Sequence, residues 1–125
     1  MTDTSQQKMR VLVESLYERT IEKSVKWKPA FSDEAVEASF GRYTIRITEE
    51  YDRDSEDFYH QVVLKDGIGN VLDTITPASI GGEAPRVGGF VHYWQLMQEL
   101  YRTAHRQASG ADEAIDEILS ELKKK

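Results

Sequence analysis

There is no cysteine in this chain. Its absence excludes disulfides, thiolate nucleophiles, iron–sulfur clusters and every zinc site that uses cysteine. Histidine is scarce: His60, His92 and His105 are the three in the sequence, and no two are spaced i, i+4. No His-Glu-x-x-His signature occurs, so no metal is expected. No apolar run approaches the roughly 18–20 residues of a membrane-spanning helix. The opening Met1-Thr2-Asp3-Thr4-Ser5 is polar and lacks the apolar core of a secretory signal. Positive charge is not in excess either. There are 22 acids against 16 bases, a formal charge of −6, which argues against a nucleic-acid partner.

What is present is the composition of a globular protein, 39% hydrophobic and 30% charged over 125 residues. The length predicts one domain, 1–125, able to bury a core without covalent staples. No cofactor is implied. No membrane partner is expected, and the expected compartment is the cytoplasm.

Periodicity predicts an α+β fold. Met9, Leu12, Val13, Leu16, Tyr17 and Thr20 share one helical face, and Thr4 and Gln7 have capping-box spacing, so a helix is expected over about 6–25. Trp27 and Phe31 are expected to plug one end of the core. From Phe40 to Thr48 the residues alternate: Tyr43, Ile45 and Ile47 face one way, Arg42, Thr44, Arg46 and Thr48 the other. The charged run 49–57 reads as a connection. Strands over 58–65 and 71–76, joined by Asp66-Gly67-Ile68-Gly69-Asn70, read as a hairpin. The stretch 77–89 reads as a mobile glycine-rich loop. A broad apolar arc (Phe90, Tyr93, Trp94, Leu96, Met97, Leu100, Tyr101, Ala104) marks a helix over 90–108. Gly110 ends it, and a last helix carries Ile115, Ile118, Leu119 and Leu122, with acids first and lysines last, matching the helix dipole. The expectation is a three-stranded antiparallel sheet, with the N-terminal helix and both C-terminal helices packed mainly on one face.

Each candidate site competes with a structural explanation. The run Asp52-Arg53-Asp54-Ser55-Glu56-Asp57 is acidic, but Asp57 and Val63 stand where a calcium loop needs Gly and Glu. Gly81-Gly82 and Gly88-Gly89 bracket a loop before a helix, without the Lys-Ser/Thr ending of a phosphate loop. No Gly-x-Ser-x-Gly elbow occurs. Residues 33–57 hold nine acids and three arginines, so Arg42 and Arg46 are expected to pair with acids instead of phosphates. Phe90, Trp94 and Tyr101 lie together along the broad helix and are the expected interface residues.

The segment Leu100-Tyr101-Arg102-Thr103-Ala104-His105-Arg106-Gln107-Ala108, then Gly110-Ala111-Asp112 and Ile115-Asp116-Glu117-Ile118-Leu119, resembles the C-terminal helices of small uncharacterised bacterial α+β proteins. The hairpin from Tyr59 to Ile75 is similar too. The resemblance spans about two thirds of the chain and implies no activity. Small acidic secretion chaperones share the size, the charge and the opening helix. They place strands between their last two helices, where Ser109-Gly110 leaves no room. The sequence therefore favours a non-enzymatic, cytoplasmic interaction protein of bacterial or phage origin, paired with a second copy of itself. The alternative is a small-ligand or enzyme site under the Gly81–Gly89 loop, using Arg86, His92 and His60.

Overall fold

The computed structural model describes residues 4–30 and 34–124. Its elements run α1 (Ser5–Ile21), β1 (Lys28–Pro29), β2 (Ala35–Phe40), β3 (Tyr43–Asp52), β4 (Asp57–Lys65), β5 (Val71–Ile75), α2 (Pro77–Ile80), α3 (Tyr93–Ser109) and α4 (Ala111–Lys123). The fold is α+β, as expected, but the sheet has five antiparallel strands and not three. They lie in the order β1-β2-β3-β4-β5, each paired with its sequence neighbour.

The two additional strands carry weak hydrophobic signals. In β2 only Val36, Ala38 and Phe40 face the helices, and Ala38 adds little to an alternation pattern. The run from Phe40 is also not one strand. Phe40 pairs with Tyr43 across a two-residue turn, Gly41-Arg42, so Arg42 sits in a turn and not on a strand face. Gly41 takes φ +64°, the conformation a Gly-X hairpin turn demands at its first position. β1 is two residues long and contains Pro29, which suits an edge strand. The supposed connection after Thr48 is strand as far as Asp52, because Glu49, Glu50, Tyr51 and Asp52 pair in register with His60, Tyr59, Phe58 and Asp57.

α1 begins where the spacing predicts, with Thr4 Oγ1 accepting from the Gln7 N–H at 3.1 Å. It stops four residues earlier than expected. Lys23 turns the chain with φ +63°, and the Ser24 N–H returns to the Arg19 carbonyl. Val25 and Trp27 then fold back as core residues, the indole N–H donating to Thr20 Oγ1 at 2.9 Å. Phe31 lies outside the described residues.

One face of the sheet, carrying Val36, Ala38, Ile45, Ile47, Val62 and Ile75, meets Val13 and Leu16 of α1 and Leu96, Met97, Leu100 and Ala104 of α3. These side chains are almost wholly removed from water, and their burial is the main favourable contribution to the fold. On the other face the Arg46 guanidinium meets Glu37 at 3.1 Å across β2 and β3, the cross-strand pairing expected of it. α3 starts three residues later than its apolar arc suggests. Phe90 precedes it and stands edge-on to Tyr17, ring centroids 5.3 Å apart. Gly110, in the left-handed conformation at φ +73°, closes α3 and lets α4 leave in a new direction. α4 does not join the other helices on the sheet: none of its described residues is buried.

Candidate functional site

The three residues of the expected interface have different fates. Tyr101 is buried, its hydroxyl donating to the Glu34 carbonyl at 2.9 Å and its ring stacked on His60 with centroids 4.6 Å apart. Burial, and then the negative charges of Glu49 and Glu34, push its phenol pKa up. Phe90 is half-buried on Tyr17. Only Trp94 is open to solvent. The broad arc of α3 is thus used inside the chain, because five strands and α1 cover more of it than three strands would.

The three residues of the alternative ligand site are not gathered. His60 is buried on β4, its Nε2 2.9 Å from Glu49 Oε2. His92 is exposed at the start of α3, where its backbone N–H donates to Gln95 Oε1. A cleft of about 390 Å³ beside Gly81, Gly82 and Glu83 is lined by His92, Tyr93 and Trp94, but neither Arg86 nor His60 lines it. Among the described residues, no group of three or more His, Asp or Glu side chains is placed to hold a metal ion, and no helix is long and apolar enough to cross a membrane.

The stretch 77–89 is partly helix and is tied to α1. Pro77–Ile80 forms α2, capped by reciprocal bonds between Thr76 and Ser79. Arg10, buried on α1, donates from Nε to the Ile80 carbonyl at 2.9 Å and from Nη2 to the Gly81 carbonyl at 2.7 Å, with Glu83 at 3.4 Å from Nη1. Glu14, one turn further on, accepts from the Tyr93 hydroxyl at 2.6 Å and from the Arg86 N–H at 3.0 Å. Burial of Tyr93, reinforced by the Glu14 carboxylate, raises the phenol pKa well above its ordinary 10. Arg86 therefore contributes its backbone here. This buried polar pair is absent from the sequence reading, although Arg10 and Glu14 both lie beside Val13 and Tyr17 on the helical wheel. Two opposite charges four residues apart on the inward arc of a helix were the available signal.

Among the described residues, α4 carries four large apolar side chains that are open to solvent. Ile115, Ile118, Leu119 and Leu122 are 45%, 58%, 48% and 63% exposed. Ala111, Ile115, Ile118 and Leu122 follow one another at spacings of 4, 3 and 4, the seam of a helix that packs against another helix. Asp112 and Glu113 open α4 and Lys123 closes it. Its visible ion pairs, Arg106–Asp112 and Glu121–Lys124, are both solvent-exposed and exchangeable.

Comparison with protein-family models, with curated proteins and with solved structures finds no match.

Proposed function

We propose that this chain is a non-enzymatic protein–protein interaction module that works as a homodimer, joined by its α4 helices. The observation that carries the reading is the unpartnered apolar seam of α4. A thirteen-residue helix is marginal in water by itself, so a helix with such a seam and no buried residue gains most from a partner. Charge selects the second copy and its direction. An antiparallel pair sets Asp112 and Glu113 of one copy beside Lys123 and Lys124 of the other, whereas a parallel pair sets like charges together. Two helices of about 20 Å bury less than a standard interface, so the dimer is a reversible one that dissociates in the micromolar range. The lack of cysteine fits a reducing compartment such as the cytoplasm.

The cysteine-free chain makes a direct test simple. In an antiparallel pair Ile118 lies near the twofold axis and Ala111 is far from its own copy. Under mild oxidation Ile118→Cys should cross-link faster than Ser55→Cys on the exposed β3–β4 loop, and Ala111→Cys should not. Equal rates at 118 and 55 would overturn the pairing; preferred cross-linking at 111 would overturn its direction.

A further inference from the structure

At the end of the sheet remote from the β2–β3 turn, three aromatic side chains are left in water. Tyr51 and Phe58 face each other across β3 and β4, ring centroids 5.1 Å apart and edge to face. Trp94, in the first turn of α3, lines the same cleft of about 480 Å³. The three are 53%, 58% and 51% exposed, so none is a core residue. The volume falls within the ordinary range of small-molecule sites.

The polar lining has a sign. Asp52 and Asp57 line the cleft, with Arg53 the basic side chain among them. Asp52 and Asp57 stand directly opposite in the β3–β4 register, a like-charge pair that destabilises the hairpin end. Neither carboxylate has an ion-pair partner among the described residues. One oxygen of each is occupied by a backbone N–H, that of Asp54 at 3.0 Å and that of Phe58 at 2.8 Å.

We propose that this cleft binds a small organic cation of the quaternary-ammonium class. Aromatic faces attract a positive charge through their quadrupole, most strongly that of tryptophan, and quaternary ammonium groups suit such faces because they are weakly hydrated and have no N–H to satisfy. Partly occupied carboxylates favour the same ligand. They offer a negative field, while a guanidinium would need a free pair of oxygens. A bound cation would also relieve the repulsion between Asp52 and Asp57. The site stands apart from α4 and does not depend on self-association.

The test compares choline with its neutral isostere, 3,3-dimethylbutan-1-ol, by following the two tryptophan indole N–H resonances of the 125-residue chain. The expected result is a saturable shift at Trp94, none at buried Trp27, and at least about fivefold weaker binding of the isostere. Trp94→Ala should abolish the saturable shift at the remaining Phe58 and Tyr51 signals while the Trp27 resonance stays in place, showing an intact fold. Asp57→Asn should weaken choline about two- to threefold. Equal binding of the two compounds would reduce the cleft to an apolar hollow. Purely linear shifts up to ~50 mM choline, or undiminished binding in Trp94→Ala, would overturn the site.

Discussion

Glu14 is buried, 8% exposed, and accepts two hydrogen bonds from segments more than seventy residues away. Truncation to Ala strands the Tyr93 hydroxyl and releases the Arg86 N–H. A buried polar group left without a partner costs about 1–3 kcal/mol, and the amide of exposed Arg86 can turn to water, so Glu14→Ala should lose about 1–3 kcal/mol. That is a sizeable share of the ~5–15 kcal/mol typical of a whole domain. Tyr93→Phe removes one donor to a charged acceptor and should lose about 1.5–3 kcal/mol. The double variant no longer contains a stranded hydroxyl. Its loss should therefore fall short of the sum of the single losses by about 1–2 kcal/mol. Urea unfolding of the four proteins gives the cycle, provided the slope with denaturant is unchanged. Hydrogen exchange adds a local readout: the Arg86 amide should be protected in the parent and exposed in Glu14→Ala. Additivity within ~0.5 kcal/mol would mean that the carboxylate and the phenol do not interact in solution, and the fastening of the loop to α1 would be wrong.

Three further outcomes are expected. Gly88 holds φ +70°, and a Cβ there would overlap Phe90 Cε2 and stand 3.1 Å from Tyr17 Cε2, so Gly88→Ala should lose about 1–3 kcal/mol by thermal or chemical unfolding; a neutral change would contradict the placement of the Tyr17–Phe90 pair. Tyr93 and Tyr101, with pKa values raised by burial and by nearby carboxylates, should stay protonated past pH 10 while folded. Their folded pKa lies above the unfolded one, so their contribution is present below pH 10 and lost as pH rises beyond it, and ultraviolet titration should show them ionising only with alkaline unfolding. Asp66 is held below its ordinary 3.8, first by the Asn70 N–H and also by the Asn70 side chain and the Ile68 N–H. A lowered folded pKa gives a contribution fully present above the ordinary 3.8 and lost as pH falls from there through the folded value, so the Asn70 and Ile68 amide signals should move in acid before the Ile45 and Ile47 signals do; simultaneous movement would contradict the turn.

Where side-chain pattern determined structure, the sequence was readable. The face of Ile45 and Ile47, the Asp66–Asn70 turn, the Thr4 cap and the Gly110 break each follow from one local rule. The elements that were missed obey non-local ones. β2 is a strand because its backbone pairs with β3, not because Ala35 and Ala38 are strongly apolar. Glu49–Asp52 is a strand because β4 runs beside it, although its composition is that of a loop. The buried pair Arg10 and Glu14 could not be placed without knowing that residues 80–93 return to α1. Tyr101 proved to be an internal residue for another non-local reason: its ring stacks on His60 of β4 and its hydroxyl reaches the Glu34 carbonyl. The extra strands use the surface of α3, and the exposed apolar seam is found on α4, whose pattern was read from the start but assigned to the core.

Sedimentation of the 125-residue chain through the micromolar range reads the pairing itself. Pairing through α4 predicts a shift from the 14.3 kDa monomer toward twice that mass as concentration rises. Ile118→Asp should hold the protein at the monomer mass throughout, with its unfolding midpoint at low concentration unchanged, because Ile118 is 58% exposed and touches no core. A parent chain that remains at 14.3 kDa at every concentration, or an Ile118→Asp variant that associates as well as the parent, would contradict pairing through α4.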